Sequence, residues 1–186
     1  MKILALSFFP AFVPANNGGV SRLYNVYRTL SEVHEVMLLS SSHANVPEER
    51  ITHGARFCER RIAKDSQFLA SYSELELIAG EGDISGPALA LAACGYSSLH
   101  QAFLEEYDDA DIIIHDSPFT IGYDLLAGLD SKLRIYNAYN DEAALYQQLH
   151  AASGAERINN IVCAAENRLL QVADIVCYCN ENDLAS

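Results

Sequence analysis

Apolar positions along the chain fall into short unbroken runs, separated by longer stretches where they recur at helical spacing. Lys2-Ile3-Leu4-Ala5-Leu6-Ser7-Phe8-Phe9 is the first run and reads as a strand buried on both faces. After a loop, Gly18-Gly19 opens a helix that carries Val20, Leu23, Tyr27 and Leu30 on one face. His34 to Leu39 gives a second strand ending in three serines, and Ala55 to Ile62 a weaker one. Residues 66–79 and 87–107 have helical spacing, divided by the glycine-rich stretch 80–86. Asp111-Ile112-Ile113-Ile114 is the clearest strand, followed by a short helix from Phe119 to Leu129. Leu133 to Ala138 is the next strand, and a long helix from about Ala155 to Val172 leads to a last strand, Asp174 to Tyr178. Strands alternating with helices predict an α/β fold: a Rossmann-like three-layer sandwich around a mainly parallel sheet. At 186 residues, half of them apolar, the chain suits one domain with its own core.

In such sheets ligands bind beyond the carboxyl ends of the strands. Four of those ends are polar here: the loop 9–19, His115-Asp116-Ser117, Asn140-Asp141-Glu142 and Asn180-Glu181-Asn182. Gly18 and Gly19 free the backbone N–H groups at a helix start for close approach by a phosphate or sugar, or they serve only as a helix entry. His115 suits hydroxyl recognition or proton transfer near neutral pH, or it caps a loop. Asp116 is equally placed to cap the helix that begins near Pro118, as are Asp141 and Glu142 for the helix that follows them.

A net charge of −13 argues against nonspecific nucleic-acid binding and against anionic lipid as a partner. The one basic run, Arg50, Arg56, Arg60, Arg61 and Lys64, is interleaved with acids and reads as a solvated face. Five cysteines, an odd number, suggest free thiols in a reducing, cytoplasmic setting. Cys177-Tyr178-Cys179 lacks metal-ligand spacing and reads as structural filler, so no metal is expected. No apolar run approaches the roughly 20 residues of a membrane span. The glycine fingerprint of dinucleotide sites, the P-loop and the hydrolase elbow are all missing from the sequence.

The order of these segments resembles the start of glycosyltransferase family 4 enzymes. Phe9-Pro10, Asn17-Gly18-Gly19-Val20-Ser21-Arg22-Leu23-Tyr24 and Val33-His34-Glu35-Val36 match the proline, the Gly-Gly pair, the helix and the Gly-His-Glu-Val entry of that family, with Val33 in place of its glycine. Asp111 to Asp116 is similar to its aspartate, strand, histidine segment. In Tyr136 to Glu142, Asn140 stands where members often have histidine. Glu166 with Ala173-Asp174-Ile175-Val176 is similar to the helix and strand that close its N-terminal domain.

The resemblance implies the N-terminal, acceptor-side half of a GT-B glycosyltransferase spanning residues 1–186. Such an enzyme transfers a sugar from a nucleotide-sugar donor to an acceptor with retention, without a bound cofactor. It implies that the Gly18-Gly19 loop lies near the donor diphosphate and the acceptor, and that His115 lies near the transferred sugar as the catalytic candidate; Asp116, Asn140 and Asp141, at the polar strand ends, complete the substrate-binding candidates. The donor-binding C-terminal domain is absent from this chain, so the chain alone is expected to be inactive. Asp183 to Ser186 reads as the first turn of a further helix. A nucleotide-sugar epimerase built on the same fold, and a non-catalytic sugar- or nucleotide-binding module, are the alternative readings.

Overall fold

The computed structural model describes residues 1–15, 17–79, 82–129, 131–149 and 155–179. Seven strands form one sheet: β1 (Lys2–Ser7), β2 (Glu35–Ala44), β3 (Glu49–Gly54), β4 (Phe57–Lys64), β5 (Ile112–His115), β6 (Leu133–Asn137) and β7 (Ile175–Cys177). Their spatial order is β3-β4-β2-β1-β5-β6-β7, parallel throughout except for the antiparallel β3–β4 pair. The chain moves outward from β1 to β2 and then returns to place β5 on the other flank of β1. The crevice where the direction reverses therefore lies at the ends of β1 and β5, the position where open α/β sheets take ligands.

Strand pleating sorts β1 between two cores. Ile3 and Ala5 face one side, where α1 (Gly18–Leu30) adds Leu23 and Tyr27. Leu4 and Leu6 face the other, under α2 (Ser66–Ala79), α3 (Ser85–Ala92) and α4 (Ser98–Tyr107). A 3-10 turn at Pro118–Thr120 leads into α5 (Ile121–Ala127), and α6 (Glu142–Leu149) and α7 (Glu156–Val172) complete the order. The Rossmann-like, three-layer α/β fold read from the hydrophobic pattern is the one observed, with unequal helical layers.

Two glycines let α3 and α5 pack tightly. A Cβ on Gly86 would sit 2.3 Å from the Phe119 ring, and one on Gly122 would sit 2.6 Å from the Ala93 carbonyl oxygen. Neither position has room for a side chain.

Four expectations are corrected. The helix expected over 87–107 is two helices, because the chain turns at Gly95 and Ser97 caps α4 by accepting from the His100 N–H. The weak strand is the second arm of a hairpin whose first arm, β3, carries Glu49, Arg50 and Thr52 and has too little apolar alternation to be seen. The basic run is not wholly a solvated face. Arg60 is buried and bonds Glu48, Glu105 and Glu106, and Arg61 pairs with the fully buried Glu59. Cys177 and Cys179 are exposed free thiols instead of filler.

Candidate functional site

At the crevice, the loop after β1 is fixed by β4. Glu59 is fully buried, and its Oε1 accepts from the Ala11 N–H at 2.9 Å and from the Ser40 hydroxyl at 2.7 Å. Its Oε2 faces His53 Nε2 at 2.8 Å and Arg61 at 3.2 Å. Burial alone would raise this carboxyl, but those bonds outweigh it and hold it below the usual range. Arg61 also donates to the Ala11 carbonyl at 2.9 Å and lies over the Phe12 ring. One buried acid and one arginine thus set the course of the chain toward α1.

Asn17 caps α1, its Oδ1 accepting from the Val20 N–H at 2.9 Å. Gly18 and Gly19 follow at the exposed first turn. Among the described residues, chain neighbours and the helix's own backbone aside, nothing lies within 4 Å of the place a Cβ on Gly18 would occupy, and one on Gly19 would make ordinary contacts with Asn17 and Phe9 at 3.4 and 3.5 Å. Internal packing therefore does not require glycine at either position.

One turn into α1, on the same face as the glycine pair, Arg22 reaches across to the end of β6. Its Nη2 donates to Asn137 Oδ1 at 2.7 Å and its Nη1 to the Ala138 carbonyl at 2.8 Å, with the guanidinium 4.4 Å from the centre of the Tyr139 ring. The other end of the Asn137 amide donates to Asp116 Oδ1 at 2.6 Å. Asp116 is 1% exposed, and burial pushes its carboxyl up to about 7 against the lowering effect of Tyr27, Asn137 and Arg22. The Tyr139 hydroxyl is buried without a hydrogen-bond partner among the described residues. Burial, then the charge of Asp116, raises this phenol above its ordinary value.

His115 is wholly buried at the end of β5. Its Nδ1 meets Thr120 Oγ1 at 2.8 Å, and its Nε2 bonds Asp124 Oδ2 at 3.2 Å. Asp124 in turn receives Arg134 Nε at 2.8 Å and Nη2 at 3.0 Å. Burial would raise the Asp124 carboxyl, yet His115 and Arg134 hold it below the usual range. Both ring nitrogens of His115 are therefore engaged in tying β5 to α5.

In the turn after β6 the sequence candidates divide. Asp141 accepts from the Ala144 N–H at 2.8 Å, the bond of an N-cap for α6. Asn140 is exposed and reaches Glu142 at 3.5 Å. Glu142 is buried and pushed up to about 7, chiefly by loss of water. Glu166 on α7 accepts from the Tyr136 hydroxyl and from the Glu142 and Ala143 N–H groups, which fastens this end of the sheet to the helix layer.

Gly18, Gly19 and Asp116 thus belong to one constellation, with His115 behind it in the core and Asp141 and Asn140 on the neighbouring turn. Asn180, Glu181 and Asn182 lie outside the described residues. Sequence reasoning assigned no role to Arg22, Tyr27, Asn137 or Tyr139. The spacing of Arg22 from Gly18, one helical turn, was the available clue; Tyr27 and Asn137 lie in segments that read as a buried helix face and a strand, and Tyr139 only opens the polar stretch after that strand. Among the described residues no cluster of three or more His, Cys, Asp or Glu could hold a metal ion, and no helix is long and apolar enough to cross a membrane.

No family model matches the sequence, and no curated protein matches it. Solved structures do. The Escherichia coli trehalose-6-phosphate synthase bound with UDP-2-fluoro glucose aligns over the whole chain with a TM-score of 0.61 and 12% identity. Sucrose-phosphate synthase from Thermosynechococcus elongatus aligns over 94% of it, with a TM-score of 0.58 and 15% identity. The trehalose 6-phosphate synthase of Burkholderia multivorans aligns over 98%, at 0.57 and 10%. In each case this chain spans 41% of the solved chain. At these identities the likeness establishes the fold alone, a Rossmann-like α/β domain shared with part of each of these solved chains.

Proposed function

We propose that this chain is the acceptor-side, N-terminal domain of a retaining glycosyltransferase that uses a nucleotide-sugar donor. The observation that carries the reading is the open first turn of α1. The fold leaves Gly18 uncrowded, so the pair of glycines suits a group that approaches from outside the domain. The free N–H groups of a helix start, with Arg22 one turn further along the same helix face, match the needs of a diphosphate or a hydroxyl-rich acceptor. Likeness to a structure bound with UDP-2-fluoro glucose supports the donor class.

Because the chain spans two fifths of its structural neighbours, a second domain is left to hold most of the donor. The chain alone is then inactive, and no cofactor takes part. Five free cysteines favour a reducing, cytoplasmic setting. His115 acts in this reading through the turn Ser117–Thr120 that it holds, and Asn140 and Asp141 line the neighbouring part of the rim.

Titrating the isotopically labelled chain with UDP-glucose tests this, alongside the Gly18→Ala variant. Chemical-shift changes should gather at Gly18, Gly19, Arg22 and Tyr139. The variant should keep the thermal stability of the parent and lose those changes. Equal responses from both proteins, or changes that avoid the rim with every nucleotide sugar tried, would sink the reading.

A further inference from the structure

Its place at a polar strand end makes Asp116 a substrate-binding candidate, but its contacts give it a different task. Both carboxylate oxygens are spent inside the domain, Oδ2 on the Tyr27 hydroxyl at 2.5 Å and Oδ1 on the Asn137 amide at 2.6 Å. Asn137 is an amide held by opposite demands. Its nitrogen must face the carboxylate and its oxygen must face Arg22, 2.7 Å away. We propose that Asp116 is a positioning residue that sets Arg22 at the rim through the Asn137 amide, so that a proton on Asp116 turns the amide and breaks its bond to the guanidinium. The use made of Arg22 rests on the acceptor-domain reading; the relay itself does not.

The donor and acceptor inventory favours that route. A proton on Oδ2 would force Tyr27 to accept, and the phenol hydrogen would be stranded in the core, since Tyr27 is fully buried. The cost of such a buried unpaired donor is the full loss of its hydration. A proton on Oδ1 asks only that Asn137 present its oxygen to Asp116, leaving its nitrogen opposed to Arg22. Arg22 is half-buried, so water can replace the bond it loses, while the Ala138 carbonyl, the Cys179 sulfur and the Tyr139 ring remain. The cheaper rearrangement is therefore the one that breaks the Arg22–Asn137 bond. The charged and titratable groups acting on Asp116 are Tyr27 and Arg22 from α1 and Tyr139 beyond β6. Its carboxyl is pushed by burial to about 7, which puts the change within an ordinary pH range.

The test follows Arg22 side-chain nitrogens and the Asp116 carboxyl carbon by NMR as pH is varied, with no sugar present. In the parent protein the two should titrate with one midpoint. In Asn137→Ala, Asp116 should still titrate while the Arg22 response is lost. An Arg22 that ignores pH in the parent, or one that still follows Asp116 in Asn137→Ala, overturns the relay. Should that variant not fold, crystal structures of the parent at acid and alkaline pH decide the matter. The Arg22–Asn137 contact should open beyond hydrogen-bond distance in the acid form, and an unchanged contact overturns the proposal. Because no ligand is used, this result is independent of any UDP-glucose titration.

Discussion

The Tyr27 hydroxyl donates to Asp116 Oδ2 at 2.5 Å and so joins the last turn of α1 to the end of β5. The partners are 89 residues apart in sequence and both are buried. Removing the hydroxyl leaves a buried carboxylate oxygen without its donor. Tyr27→Phe should cost about 1–3 kcal/mol in chemical denaturation at alkaline pH, where Asp116 is charged. The loss should shrink in acid, because a protonated Asp116 no longer needs that donor as strongly. A loss independent of pH would mean that only packing had changed.

Stability should fall as the solution is made alkaline. Burial pushes Asp116 and Glu142 up to about 7, whereas the unfolded chain releases both protons near pH 4. Between those values the folded state holds more protons than the unfolded one, so each step up in pH favours unfolding. A tenfold difference in proton affinity between the two states is worth about 1.4 kcal/mol. Asp124 and Glu59 are displaced the other way, and their contributions are lost only as pH falls below about 4. The melting temperature should therefore be higher near pH 5.5 than near pH 8. The slope should flatten in Asp116→Asn and flatten further when Glu142→Gln is added. A melting temperature that rises across this window would contradict the assignment.

Glu59→Gln should release the loop that precedes α1. The neutral amide cannot balance Arg61, and only one of its two ends can still accept. Removing one member of a buried charge pair typically costs about 3–5 kcal/mol. Hydrogen exchange at the Ala11 amide, which donates to Glu59, should quicken well beyond the change at Leu4 or Leu6 on β1. Uniform quickening across the domain would show a global effect instead of a local one.

The parallel sheet was legible because strands covered on both faces leave unbroken apolar runs, as in Ile112 to Ile114. The helix start at Gly18 was legible from a glycine pair followed by an apolar stripe at helical spacing. What escaped depends on contacts between distant segments. β3 is a strand only because β4 pairs with it. Arg60 is buried only because Glu48, Glu105 and Glu106 surround it. At the candidate site, the glycines and Asp116 carried local signals, but Asn137 and Tyr27 looked like any polar-tipped residue in a hydrophobic run. Their role exists only where α1, β5 and β6 meet, and no spacing within one segment encodes that.

The contrast among glycines has a consequence for how this sequence can drift. Positions 86 and 122 are closed to every side chain by the Phe119 ring and the Ala93 carbonyl, so the fold itself polices them. Position 18 is open, and the fold exerts no steric veto there. A substitution at Gly86 would also travel, since Phe119 sits in the turn that His115 braces through Thr120. Variation in this domain is thus filtered by two separate judges: folding screens the helix junction at a distance from the rim, and whatever binds at the rim must screen the first turn of α1 on its own.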